Sequence, residues 1–498
     1  MMKTNSLDFD AQALREKILD LAMRGKLVPQ DPNDEPASVL LEKIKAEKEQ
    51  LIKEKKIKKS KPLAPITDDE KPFDIPDSWE WVRLGDICIS NIGVTYKPSY
   101  KVEEPTKTKI LRANNIENNQ LNNKKLVFLT LDTLPDKYYL KENDILMAVR
   151  SGSKRLVGKS AVVTHDFANY SFGAFMSKIR VIQANSYFVD YFLNSLFFRE
   201  QLRDANTTTI NQITQSMINN FVIPFPPLSE QSRIAAKIAQ LFALLRKVES
   251  STQQYAKLQT LLKSKVLDLA MRGKLVEQDP HDEPASVLLK KIKAEKEQLI
   301  KEGKIKKSKP LPPITDDEKP FDIPNGWEWV RLGDIGAWAA GATPSRKHSE
   351  YYGGDIPWLK TGDLNDGIVE ETSEKITELG VKNSSVKINK PGNILIAMYG
   401  ATIGKLGIVG KKELVTNQAC CGCTPYKGIY NQYLFYYLLS SRKRLINLGS
   451  GGAQPNISKQ KIEKFAFPLP PQSEQSRVTA KIEQLLPFLG KVEFSAEQ

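Results

Sequence analysis

Residues 14–87 read LREKILDLAMRGKLVPQDPNDEPASVLLEKIKAEKEQLIKEKKIKKSKPLAPITDDEKPFDIPDSWEWVRLGDI, and residues 262–335 repeat that stretch without a gap, with 10 differences in 74 positions. The offset is a constant 248. A second pair, FVIPFPPLSEQSRIAAKIAQLF from Phe221 and FAFPLPPQSEQSRVTAKIEQLL from Phe465, recurs at an offset of 244. Repeated blocks therefore alternate with variable segments. Two copies at this spacing indicate a tandem duplication, because a solenoid needs at least about three short repeats. At 498 residues the chain is also too long for one ordinary core, and two or three folded units are expected.

The repeated blocks are helical by pattern. From Ser229, a plausible N-cap, apolar residues follow at Ile234, Ile238, Leu241, Leu245 and Val248, then resume at Tyr255, Leu262, Val266 and Leu269. This spacing of four and three predicts one helix over about 229–272, ending near Gly273. It reads as a heptad seam, imperfect at Thr252 and Gln259, or as a long amphipathic helix on a globular core. The two ends of the chain favour the seam. A final helix from Ser473 carries Val478, Ile482, Leu485, Leu489 and Val492, and a first helix carries Leu14, Ile18 and Leu21 before Met23, Arg24 and Gly25. End to end, these pieces reproduce the central helix, which predicts pseudo-two-fold symmetry with the split and continuous helices antiparallel. A Lys-rich helix follows each, roughly Ala37–Lys59 and Ala285–Lys307, with Leu40, Ile44 and Leu51 on one face. That face either binds a partner or is solvated. Proline-rich stretches, Lys61–Pro76 and Lys309–Pro324, then lead into the variable segments.

The variable segments, 79–228 and 327–472, share landmarks in the same order. KILRANNI at Lys109 faces IPWLKTGDL at Ile356, and DILMAVRSGSKRLVGKSAVV at Asp144 faces NILIAMYGATIGKLGIVG at Asn393. TTTINQITQSMI from Thr207 faces GGAQPNISKQKI from Gly451. Apolar, β-branched runs broken by Gly and Asn predict strands, while YFVDYFLNSLFFREQL and QYLFYYLLSSRKRLI predict helices, so each segment is a mixed α+β domain.

The net charge of +14 suggests a polyanionic partner, yet the stretches 42–61 and 290–309 hold 11 of those charges. A Lys/Glu helix face is commonly just solvated, so charge alone decides nothing. The loop GSKRLVGKS, Gly152–Ser160, almost spells a phosphate-binding loop, but five residues separate its glycines where four are needed, and a strand pattern follows Lys159. A basic hairpin loop suits DNA better. Ser153, Lys154, Arg155 and Lys159, with Lys97 and Arg112, offer phosphate or guanine contacts, and Asn114, Asn115, Asn211 and Gln212 offer carboxamides for adenine. The second segment offers Ser345, Arg346, Lys360, Thr361, Asp363, Tyr399, Thr402, Lys405, Gln454, Asn456 and Lys459. Asn and Gln are also ordinary turn residues.

No Asp/Asn-Pro-Pro-aromatic stretch for methylating a base amino group and no metal-dependent nuclease pattern occurs, so no catalytic residue is assigned. His165, His281 and His348 lie in no ligand spacing, and Cys420, Cys421 and Cys423 sit in a strand-like run that reads as buried small hydrophobes rather than a zinc site. Four cysteines make no disulfide framework. The first residues, MMKTNSLDFDAQAL, contain no apolar signal core, and no apolar run reaches about 18 residues, so a cytoplasmic protein is expected.

With LDLAMRGKLVPQDPNDEPAS, IKKSKPLAPI, WEWVRLGDI and PLPPQSEQSRV in this order, the chain resembles the specificity (S) subunit of type I restriction-modification systems, the HsdS family, over essentially its full length. The resemblance implies an α+β architecture of two target-recognition domains, 79–228 and 327–472, joined by long antiparallel coiled-coil-like helices. The conserved regions 1–78, 229–326 and 473–498 would supply those helices and linkers. It further implies a non-catalytic subunit whose two domains each read half of a bipartite DNA site. Two modification (methyltransferase) subunits and two restriction (endonuclease/translocase) subunits would bring S-adenosylmethionine, ATP and Mg2+. The competing readings are a single-chain methyltransferase or nuclease, and a coiled-coil adaptor that binds no DNA.

Overall fold

The repeated residues form the same local structures twice. The computed structural model describes residues 10–59, 62–130, 134–153, 156–205, 212–449 and 456–489. Helices Ala11–Met23 and Leu228–Met271 both stop at a glycine in the left-handed region, Gly25 at φ +66° and Gly273 at φ +65°. There the Lys26 and Lys274 N–H groups donate back to the Leu21 and Leu269 carbonyls at 2.8 Å. A side chain is excluded at both glycines, since a Cβ would lie 2.5 Å from Pro76 and 2.3 Å from Pro324. These contacts lay the proline-rich linker against the helix end.

Several helix limits differ from those expected. The Lys-rich helices end at Lys53 and Lys301 rather than Lys59 and Lys307. Lys55 (φ 56°) and Gly303 (φ 69°) turn left-handed, and the Lys56 and Lys304 N–H groups cap the Leu51 and Leu299 carbonyls. The long helix begins at Leu228, and Ser229 donates to Asp34 at 2.5 Å instead of capping. Ile234 and Ile238 are fully buried, whereas Val248, Tyr255 and Leu262 are exposed. In the first helix Leu19, Ala22 and Met23 form the buried face, while Leu14 is 44% exposed. The last helix is Gln472–Leu485; it tightens into a 3-10 turn over Leu486–Leu489, where Pro487 supplies no N–H to continue the α ladder. Val492 lies outside the described residues.

The chain divides into two compact units, Leu7–Ser251 and Thr252–Gln498, so that each contains one variable segment. In each, the first and last strands of the segment pair antiparallel. Glu80–Arg83 pairs with Val222–Phe225 in one unit, and Glu328–Arg331 with Ala466–Leu469 in the other. Arg83 and Arg331, both nearly buried, reach back to Glu70 and Glu318 through two hydrogen bonds each.

The N-terminal unit holds an antiparallel sheet in the order Cys88–Ile92, Met176–Val181, Ile145–Ala148, Ser160–Val162. The C-terminal unit repeats that order as Gly336–Ala340, Cys420–Pro425, Ile394–Ala397, Leu406–Val409, and adds Gly367–Val369 at the edge. Each unit has a second, four-stranded mixed sheet, built on Thr108–Leu111 in one and Tyr352–Leu359 in the other. Two helices cover each core: Ser186–Leu193 and Leu196–Ala205, then Asn431–Ser440 and Arg442–Asn447. Phe188, Phe192 and Phe198 are fully buried in the first unit, as are Tyr433 and Tyr437 in the second. The residues after Lys159 form a strand, so no helix opens there for a phosphate. Cys420, Cys421 and Cys423 are buried in the strand Cys420–Pro425, and burial pushes the Cys421 thiol up to about 12.

One buried carboxyl makes the N-terminal unit sensitive to pH. Asp190 accepts a 2.6 Å hydrogen bond from Ser160, and burial raises it to about 7. An unfolded aspartate titrates near 3.9, so the folded unit holds the extra proton between roughly pH 4 and 7. Stability is therefore expected to fall as pH rises across that window and to level off above it. Asp190→Asn removes this dependence, and thermal denaturation should place the variant higher relative to the parent at pH 8 than at pH 5.

Candidate nucleic-acid interface

In each unit four backbone segments converge beyond the ends of the antiparallel sheet. In the N-terminal unit, Val149 donates to the Phe175 carbonyl at 2.9 Å, and Ile213 donates to the Val149 carbonyl at 2.7 Å. Gly93 joins the same edge through Met176 at 3.0 Å, and Val94 through Phe172 at 2.9 Å. The C-terminal unit repeats all four bonds. Met398 donates to Ala419 (2.7 Å), Ile457 to Met398 (2.8 Å), Gly341 to Cys420 (2.9 Å) and Ala342 to Thr416 (2.9 Å). In the first unit the junction surrounds a recess of about 370 Å³, with Arg150, Phe175 and Gln212 in its lining.

The sequence-derived candidates divide among several places. Gln212 forms an isolated bridge with Arg150 at the junction, and Tyr399, Asn456 and Lys459 occupy the matching part of the C-terminal unit. Lys159 and Ser153 lie on the hairpin loop beside it, as do Thr402 and Lys405 in the other unit. Lys97 is exposed ahead of the turn Pro98–Tyr100. Lys154, Arg155, Asn211 and Gln454 lie outside the described residues.

A second cluster belongs to the mixed sheet of the C-terminal unit. Glu374 accepts from both Arg346 (2.8 Å) and Lys360 (2.5 Å), and the Arg346 guanidinium lies 4.2 Å over the Tyr352 ring. Chiefly the hydrogen bond from Lys360 holds the Glu374 carboxyl below the usual range. Asp363 is occupied locally, accepting from the Lys360 and Ser373 amides, with Thr361 in the same turn and Ser345 exposed one residue before Arg346.

Asn115 is spent inside the N-terminal unit. It is fully buried, accepts from the Arg112 amide and donates to the Asn122 and Lys124 carbonyls, while Arg112 donates to the Lys125 carbonyl. Only Asn114 of that pair is exposed. Thr95, Arg150, Phe175, Thr343 and Gln418 also stand at these junctions and are not among the sequence-derived candidates. Arg150 was within reach, because the aligned landmarks already place it opposite Tyr399; nothing in the sequence marks Phe175, whose exposure depends on the chain reversal before its strand.

The family model described as "Type I restriction modification DNA specificity domain" matches residues 76–259 and 324–487, once over each variable segment and its flanks. The chain belongs to the type I restriction-modification DNA specificity family. Its relatives include the type I restriction enzyme EcoAI specificity subunit of Escherichia coli, 32% identical over 98% of this chain and 90% of that one. The EcoEI specificity subunit of Escherichia coli is 31% identical, with 95% and 89% covered. Among solved structures, the fold resembles the HsdS subunit from Thermoanaerobacter tengcongensis (TM-score 0.51, 22% identity, 84% of this chain and 93% of that one). It also resembles a chain from the structure "Structural basis underlying complex assembly and conformational transition of the type I R-M system" (TM-score 0.55, 22% identity, 84% and 92% covered). This specificity-family chain is a DNA sequence-specificity subunit and a non-catalytic one.

The two neighbouring asparagines separate structure from surface. Asn115→Ala strands the two carbonyls it serves and should lower unfolding free energy by about 1–3 kcal/mol, whereas Asn114→Ala should stay within about 0.5 kcal/mol. Urea denaturation of the two variants makes the comparison.

Proposed function

We propose that each unit reads one half of a bipartite duplex site and presents it to modification and restriction subunits. Residues 79–228 and 327–472 are the target-recognition domains; residues 1–78, 229–326 and 473–498 are the conserved frame that carries them. The observation supporting this reading is one chain that holds two different variable segments on nearly identical frames, with 10 differences in 74 positions. A frame duplicated so closely serves the same partner twice, while unlike inserts meet unlike targets.

Two methyltransferase subunits would methylate an adenine in each half-site using S-adenosylmethionine, and two endonuclease/translocase subunits would use ATP and Mg2+. The chain's own residues supply recognition, through groove-facing donors and acceptors and through phosphate contacts. The complex works in the cytoplasm, where the DNA is. Among the described residues no helix is long and apolar enough to cross a membrane.

Exchanging residues 88–220 for the matching segment of a relative tests the modular reading. Methylome sequencing of a host carrying the complete system should show one half-site replaced and the other retained. Both halves changing together would refute independent readers, and methyl transfer by the purified chain alone would refute a non-catalytic role.

A further inference from the structure

We propose that four positions in each unit, three of them equivalent by register and the fourth offset by one residue, form its base-reading surface: Thr95, Arg150, Phe175 and Gln212 in the N-terminal unit, and Thr343, Tyr399, Gln418 and Asn456 in the C-terminal unit. The inference rests on the reading that each unit recognises half of a DNA site, and it names the residues and base chemistry.

The argument starts from backbone register. The four hydrogen bonds that close the junction are the same in both units, so Val149 corresponds to Met398, Phe175 to Ala419 and Ile213 to Ile457. Their neighbours then correspond in turn, Arg150 with Tyr399, Gln212 with Asn456, and Thr95 with Thr343. Around these positions the core is kept. The residues of the junction that face inward, Val149, Ile213, Met398 and Ile457, are buried and apolar in both units. Of the matched residues that face outward, threonine is kept at 95 and 343, whereas Arg150 meets Tyr399 and Gln212 meets Asn456.

A fifth pair shows what a framework position looks like here. Gln215 donates to the Ser90 carbonyl at 2.6 Å, and its counterpart Lys459 reaches the corresponding Trp338 carbonyl at 3.5 Å and pairs with Glu463. Those side chains are turned back onto the sheet. The Thr95–Thr343, Arg150–Tyr399 and Gln212–Asn456 pairs are not held in this way by a shared backbone acceptor.

Phe175 is 57% exposed, and the Arg150 guanidinium lies 5.3 Å over its ring. A large ring left more than half exposed beside a cation is only partly packed by the unit itself, and such a pair gains on meeting a base edge. Arg forks onto the O6 and N7 of guanine, an apolar ring meets the thymine methyl, and a Gln carboxamide pairs with the N6 and N7 of adenine. In the C-terminal unit the bulk moves one residue back, to Gln418, which is exposed and hydrogen-bonded to the Thr343 hydroxyl. There the surface is made of carboxamides and hydroxyls, with neither an arginine nor an exposed apolar ring among the four. The N-terminal unit is thus suited to a half-site containing guanine beside thymine, and the C-terminal unit to one read through adenine.

The test uses the chain in complex with its modification subunits and a duplex library randomised in both half-sites. Arg150→Ala, Arg150→Lys and Phe175→Ala change exposed side chains, and Arg150→Lys keeps the charge while removing the fork. Each should cut discrimination at one or two base pairs of a single half-site by about tenfold or more, leaving the other half intact. Asn456→Ala should do the same in the other half only. Retention of the parent preference at every position would overturn the proposal. So would a uniform loss of affinity with unchanged preference, which would make Arg150 a phosphate contact. A parent complex without any bipartite preference would instead refute the underlying reading of the units.

Discussion

Each unit depends on a buried carboxylate at the start of a helix. Glu230, 1% exposed, accepts from the Trp79 indole at 2.8 Å and from Gln30 at 2.5 Å; Glu474, 1% exposed, accepts from Trp327 at 2.7 Å and from Gln278. Burying a carboxylate is costly, and burial does push both carboxyls up. The indole and carboxamide donors offset that cost, as does the positive end of the helix in whose first turn each glutamate lies. The bond joins the residue that opens a variable segment to the helix that follows it. Roughly 150 residues can therefore vary between two points that this bond ties together.

The rest of the frame reinforces this closure. Arg233 and Arg477 grip Asp34 and Asp282 at 2.6 Å, tying the same helix turn to the preceding loop. The short strand pair and the Arg83–Glu70 and Arg331–Glu318 contacts hold the linker in place. Because every one of these partners lies in a repeated block, the duplication carried the closure along with it. What lies between the pinned ends was left to diverge, while the order of the first four strands of the antiparallel sheet stayed the same.

The distribution of charge fits that division. Part of the lysine excess in the repeated blocks is structural: Lys48 donates to the Gly85 carbonyl at 2.5 Å, and Lys296 to that of Gly333 at 3.1 Å. Burial lowers the Lys48 ammonium. Lys43 and Lys291 pair with Glu35 and Glu283 on the exposed face. The net charge of the chain thus sits largely on the frame, while the proposed reading positions carry one arginine, Arg150, and otherwise neutral groups. Bulk charge provides general attraction to a polyanion, and neutral donors and acceptors provide discrimination.

The repeat, the helix ends at Gly25 and Gly273, and the alternation of frame and insert were all legible in the sequence, because a gapless duplication needs no structure to be seen and a left-handed glycine ends a helix locally. The strands and helices of the variable segments were legible for the same reason, since their apolar periodicity is a local property. What only the tertiary structure decided is which polar residues are free to meet a ligand. Asn114 and Asn115 are adjacent and chemically identical, yet one is exposed and the other is consumed by carbonyls of its own loop. Arg150, Phe175 and Gln212 are far apart along the chain and meet because the Val149 backbone bonds to both Phe175 and Ile213. Hydrogen-bonding capacity is written in the residue type, but whether that capacity is already spent depends on partners brought in from elsewhere in the fold.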